Sequence, residues 1–138
     1  MDERIGYVLK KVQAVLRARM DEVLGDRGLT MPQYAALSAL EHEPGISNAE
    51  LARRSFVTPQ TMIRIVAHLE AEGLVTREPD PGNGKVLRAT LTARGKRAVE
   101  SCHDGALAVE RRMLGSLSAR ERDQLLEMLE RCFLSLES

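Results

Sequence analysis

Tryptophan is absent from this chain of 138 residues, and phenylalanine and tyrosine together supply only 3% of it. Without large rings, the core must be assembled from Leu, Val, Ile, Ala and Met. No apolar run approaches the roughly 18 residues that a membrane helix needs. The N-terminal "MDERIGYVLKKV" places charges on both sides of Ile5, which is not the continuous apolar segment of a signal peptide, so a cytoplasmic location is expected. Two cysteines, Cys102 and Cys132, make neither a disulfide framework nor a spaced metal site, and both are expected as core thiols on helices. His42, His68 and His103 are scattered, so neither a metal nor a cofactor is expected. A glycine-rich phosphate loop is missing, as are a Ser/His/Asp set and paired carboxylates on a plausible cleft. Catalysis is therefore not expected.

What is present is ordinary for a soluble globular domain: 43% hydrophobic and 29% charged residues. The formal net charge is zero, but the average hides its distribution. Residues 1–43 carry six basic and seven acidic side chains, and residues 100–138 carry five and eight. The middle, 44–99, carries nine basic side chains against five acidic ones. Within it, Leu51–Leu69 and Pro81–Val99 contain no acid at all. Two basic windows between acidic arms form a confined electrostatic footprint of the kind that meets a polyanion.

Helix starts are marked by side chains that can satisfy free backbone N–H groups. Thr30 with Gln33, Ser47 with Glu50, and Ser118 with Glu121 have the spacing of a capping box. Thr58-Pro59 offers an N-cap followed by a proline whose missing N–H costs nothing there, and Thr92 offers another cap. Gly25, Gly28, Pro44-Gly45 and Gly73 mark stops. Apolar residues recur at helical spacing between these signals, from Ile5 to Val23, Tyr34 to Leu40, Ala49 to Ala52, Met62 to Leu69, Ala98 to Met113 and Leu125 to Leu136. Gly95 and Gly105 count against the fifth helix, each costing about 1 kcal/mol relative to alanine. Leu74–Arg77 and Lys85–Leu91 instead read as strands, joined by a Pro79–Gly84 loop too long for a two-residue turn.

The expected fold is mainly α with a small β-hairpin wing: a winged helix-turn-helix over 29–92, flanked by helical dimerisation regions at 1–28 and 93–138. The outer helices have wide apolar faces with little else in the chain to cover them, so a two-fold homodimer is expected. The turn is Arg54–Val57 and the second helix opens at Thr58. On a helical wheel, Met62, Val66 and Leu69 fall with Pro59 and Ile63 on a packing side. Gln60, Arg64 and His68 form a stripe opposite, with Thr61 beside it. Glutamine can pair with adenine, arginine with guanine, and a threonine methyl can touch thymine.

Leu29-Thr30 with Gln33, Glu50-Leu51-Ala52, Thr58-Pro59-Gln60-Thr61, Leu69-Glu70 with Gly73-Leu74-Val75, Arg77, and Leu91-Thr92 with Gly95 together closely resemble the MarR family of bacterial transcription regulators. The specific motifs cover about Leu29–Gly95, and the helix order extends the likeness in outline to the whole chain. The resemblance implies a dimer that binds double-stranded DNA on a roughly palindromic operator. The helix carrying Thr58, Pro59, Gln60, Thr61, Arg64 and His68 would enter the major groove. Ser47, Asn48, Arg53 and Arg54 on the preceding helix, and Arg77, Asn83, Gly84, Lys85 and Arg88 on the wing, would support it. It also implies a repressor released by a small amphipathic effector, with any pocket lying where the outer helices meet the winged domain.

One departure falls on the wing. The family's Asp and Arg there correspond to Asn83 and Lys85, with Gly84 between them. Lysine keeps the charge but not the planar fork, and asparagine removes an ion-pair partner, so a weaker minor-groove contact is expected. The family's peroxide sensors carry a cysteine in the N-terminal helical region, where this chain has none. The competing reading is a winged-helix module that binds protein without DNA. It is mildly favoured by the neutral total charge and disfavoured by the basic windows.

Overall fold

The computed structural model describes residues 2–137; Met1 and Ser138, the outermost residues of the two expected helical regions, lie outside them. Six helices and one hairpin follow the order α1 (Asp2–Gly25), α2 (Met31–His42), α3 (Asn48–Arg54), α4 (Pro59–Ala71), β1 (Val75–Asp80), β2 (Asn83–Leu91), α5 (Ala93–Met113) and α6 (Ala119–Glu137). The caps explain most of these boundaries. Thr30 accepts from the Gln33 N–H while the Gln33 side chain accepts from the Thr30 N–H, closing a full capping box. Ser118 and Glu121 close another. Thr58 and Thr92 cap α4 and α5 through Thr61 and Gly95. Ser47 caps α3, but the Glu50 carboxylate is drawn to Arg53 and Arg54. Gly28, Gly45 and Gly73 all have φ of +76°, where a glycine pays no Cβ penalty.

A single buried cluster runs through the chain. Leu37, Leu40, Leu51, Met62, Leu69, Val75 and Ala89 of the winged unit join Met20 and Leu24 of α1 and Val99 and Cys102 of α5. The winged unit thus shares its core with the helices on either side. Ile63 does not pack as expected: it is exposed, as is Pro59, and the inward face of α4 is Met62, Ile65, Val66 and Leu69. Ile63 is a full 100° from Met62 on the helix, and Ile65 fills the place between Met62 and Leu69. Cys102 is fully buried, whereas Cys132, expected in the core, is exposed on α6.

The hairpin is tighter than expected. Asp80 pairs with Asn83 around a two-residue Pro81-Gly82 turn, and the irregularity lies deeper, between the Asp80–Asn83 and Pro79–Leu87 pairs. Gly84, Lys85 and Val86 sit in that bulge, which absorbs the chain length assigned to a loop. Proline at 79 and 81 and glycine at 82 and 84 hide the strands from a pattern reading.

The two glycines that argued against α5 are the positions where it needs them. A Cβ on Gly95 would fall on the Leu74 carbonyl oxygen, and one on Gly105 would fall on Val23 of α1. α5 therefore crosses both the winged unit and α1 at closest approach through glycine. Along the outer helices, Ile5, Val8, Leu9 and Val12 of α1 and Leu126, Met128, Leu129 and Phe133 of α6 are exposed, and α6 buries no side chain. Gly95→Ala should destabilise the fold by about 1–3 kcal/mol, because only backbone can give way at Leu74. Urea unfolding measures this, and an unchanged midpoint would show that the helix can slide.

Candidate nucleic-acid interface

α3 and α4 meet at a four-residue turn, and α4 presents its first two turns outward. Thr58 Oγ1 accepts from the Thr61 N–H at 3.1 Å and donates to Thr61 Oγ1 at 3.0 Å. The Arg64 guanidinium lies 3.5 Å from the same Thr61 oxygen. Gln60 and Arg64 are exposed on the face opposite Met62 and Val66, with Thr61 half-buried beside them. Asn48 Nδ2 donates to the Pro59 carbonyl at 3.2 Å and so fixes the start of α4 against the start of α3. Ser47 is occupied as the α3 cap. Gln60, Thr61 and Arg64 thus share one accessible surface. His68 lies in the last turn of α4, 3.8 Å from Glu72, toward a separate cleft lined by Arg27, Arg94 and Arg97.

The expected arginines differ in their freedom. Arg53 forks onto Glu50, and that hydrogen bond, followed by one from Arg54, holds the Glu50 carboxyl down at about 2. Arg54 binds both Glu43 and Glu50. Arg77 reaches from β1 to Glu70 of α4 at 2.8 Å, tying the wing to the helix. Arg88 is held by Asp80 at 3.0 Å. That bond, with the Gly82 N–H on the other Asp80 oxygen, sets the wing tip and keeps the Asp80 carboxyl below its ordinary range. Lys85 is exposed, and its N–H is held by Asn83 Oδ1 at 3.1 Å. Asn83 thus orients the wing's basic residue through its backbone, without an ion pair.

Behind α3 and α4 lies a cavity of about 680 Å³ that sequence reasoning placed only as a region. α1 contributes Leu16, Arg17 and Met20, α2 Met31 and Tyr34, α5 His103 and Met113, and the α3–α4 turn Ser55, Phe56 and Val57. Two local costs fall in that turn. Phe56 takes φ of +56°, unusual for a bulky residue, and its ring is 90% exposed. The buried Ser55 hydroxyl has no hydrogen-bond partner. On another wall the Tyr34 hydroxyl lies 2.7 Å from His103 Nδ1, and His103 Nε2 lies 2.7 Å from Glu41. Burial is the largest influence on the Tyr34 phenol and pushes its pKa up, so the phenol keeps its proton. Apolar periodicity puts Tyr34 on the inner face of α2, but nothing in it pairs that residue with a histidine 69 positions away. Among the described residues, no group of three His, Cys, Asp or Glu side chains could hold a metal ion, and His103 meets one carboxylate and one phenol instead.

The short helix, turn, outward helix and hairpin define a winged helix-turn-helix protein. The sequence profile of the MarR family matches residues 27–85. The transcriptional repressor Rv2887 of Mycobacterium tuberculosis is 39% identical over 130 residues, 94% of each chain. A crystal structure of Rv2887 in complex with salicylic acid superposes with a TM-score of 0.75 at 39% identity, covering 92% of this chain and 94% of that one. Its complex with DNA gives 0.75 at 38%, over 92% and 95%. This chain belongs to the MarR family of transcriptional regulators.

Arg64→Ala should cost about 1–3 kcal/mol of affinity for a specific duplex and relax preference at one position. Lys85→Ala should weaken binding with little change in preference away from the flanks. Both are read by selecting bound sequences from a random duplex pool. An unchanged profile for Arg64→Ala would remove α4 from base reading.

Proposed function

We propose that this protein is a homodimeric, sequence-specific DNA-binding repressor, released from its operator by a small aromatic acid. The observation that carries the reading is the exposed Gln60–Thr61–Arg64 surface, held by the Thr58 cap and the Asn48 bond beside a wing that offers Lys85. Gln60 and Arg64 read base edges in the major groove, while Lys85 meets phosphates beside the minor groove. Arg53 keeps an exposed guanidinium while paired, and serves backbone contacts alongside Ser47 and Asn48. Arg54, Arg77 and Arg88 chiefly brace the interface, through Glu43 and Glu50, Glu70 and Asp80 respectively. His68, at the far end of α4, stands outside the reading surface.

The exposed apolar faces of α1 and α6 support the dimer, since a lone chain would leave both in water. In this reading 29–92 binds DNA, and 1–28 with 93–138 dimerise. The DNA complex and the salicylate complex of Rv2887 support the two ligands. The cavity behind the α3–α4 turn is the proposed effector site, because its lining includes residues next to the α4 cap. No described helix is long and apolar enough to cross a membrane, and action on chromosomal DNA puts the protein in the cytoplasm. No catalytic step enters this account.

Fluorescence anisotropy with a selected duplex separates this reading from a protein-binding module. DNA affinity should fall steeply and linearly on a log–log plot against salt, in proportion to the phosphates contacted, and sodium salicylate should lower it further. Binding that ignores both salt and duplex sequence would favour the protein-binding alternative. Sedimentation should show a dimer, and removal of residues 1–24 should give monomer or aggregate. A stable DNA-binding monomer would contradict the assembly.

A further inference from the structure

The Tyr34–His103–Glu41 chain runs from α2 to α5 and back, with Tyr34 and His103 on the cavity wall and Glu41 behind them, and its ends differ in kind. Glu41 is a carboxylate near solvent, whereas the half-buried phenol of Tyr34 keeps its proton. A carboxylate at 2.7 Å from Nε2 fixes a proton on that nitrogen. With the ring neutral, Nδ1 is then an acceptor and the Tyr34 hydroxyl must donate to it. In that state Tyr34 offers the cavity lone pairs and no hydrogen.

Adding one proton to Nδ1 reverses the bond. The imidazolium now donates to the Tyr34 oxygen, and the phenol hydrogen is free to turn toward a ligand. Glu41 balances the new positive charge. The polarity that Tyr34 shows the cavity is therefore set by the protonation of His103. Ser38 is a further polar neighbour of the phenol on α2. Across the cavity, α1 presents Gln13 and Arg17 and the end of α3 presents Arg54, while Glu110 lies on the same wall of α5. Cys102 and Asp104 flank His103 in sequence, and burial keeps the Cys102 thiol protonated. Arg54 is neutralised by Glu43 and Glu50, which leaves Arg17 to attract an anion from the mouth.

We propose that Tyr34, His103 and Glu41 form the ligand-reading group of this cavity, and that an aromatic carboxylate binds there with uptake of a proton at His103. The inference rests on the cavity being the effector site. A carboxylate seated against Tyr34 finds a hydrogen there only when His103 is charged. A neutral phenol instead donates its own O–H to the Tyr34 oxygen and takes up no proton. Ligand charge is thus sensed through a reversible hydrogen bond, and release from DNA by an acid becomes easier as pH falls.

Isothermal titration of the full chain over a series of pH values tests this with two probes, sodium salicylate and phenol. In two buffers of different ionisation enthalpy, the salicylate enthalpy should shift by the amount due to uptake of about one proton, and its affinity should rise up to about tenfold for each unit fall in pH. Phenol should show neither effect. His103→Gln should abolish the uptake. Glu41→Gln, on the solvent side of the chain, should weaken salicylate and reduce its proton uptake. Salicylate binding without uptake, or uptake that persists in His103→Gln, overturns the proton link and leaves the effector reading standing. If neither probe binds and salicylate leaves the DNA complex intact, the effector reading fails and the proton link with it.

Discussion

Everything downstream of α4 depends on one close contact, where α5 starts against the chain that leaves α4. Gly73 ends α4 at φ of +76°, and its carbonyl accepts from the Thr92 hydroxyl at 2.7 Å. The next carbonyl, Leu74, accepts from the Thr92 N–H at 3.1 Å and would collide with any side chain at position 95. Thr92 then caps α5 through the Gly95 N–H at 3.0 Å. Three short interactions therefore lock the end of α4, the base of the hairpin and the start of α5 into one joint. The angle between α4 and the outer helices is set there, and a dimer of the proposed kind can hold its two copies of α4 at a fixed spacing only if that angle is rigid.

The same joint gives a physical meaning to residues that otherwise look like a signature. Gly73 supplies a backbone conformation, Thr92 supplies two bonds and a cap, and Gly95 supplies room. The opposite end of α4 is held by the Thr58 cap and the Asn48 bond, but at a local cost. Ser55 and Phe56 carry an unpaired hydroxyl and a left-handed backbone in the turn that borders the cavity.

Most of the architecture was legible in the residues because helix caps are local. Thr30, Ser47, Thr58, Thr92 and Ser118 each announce a start within three residues, and the structure uses all five. The wing was blurred because Pro79, Pro81 and the glycines around them erase strand alternation, and a bulge at Gly84–Val86 cannot be told from a loop by pattern. Gly105 was weighed as a helix breaker because its use, passage of Val23, is a contact between distant segments. The outward face of α4 followed from periodicity, apart from Ile63. The pairing of Arg54, Arg77 and Arg88 with acids did not follow, since charge counts show no partners. The relay from Tyr34 through His103 to Glu41 was invisible for the same reason.

The neutral net charge of the chain is compatible with a polyanionic partner because Leu51–Leu69 and Pro81–Val99, which span most of α3, α4, β2 and the start of α5, carry basic side chains and no acid. That arrangement predicts a footprint and not merely an affinity. Hydroxyl-radical footprinting of the purified protein on duplexes selected from genomic fragments tests it most directly. The account predicts two protected half-sites on one face of the duplex, centred about 34–36 Å apart and related by a rough dyad. A single protected patch without two-fold symmetry, or uniform protection along any duplex, would contradict it.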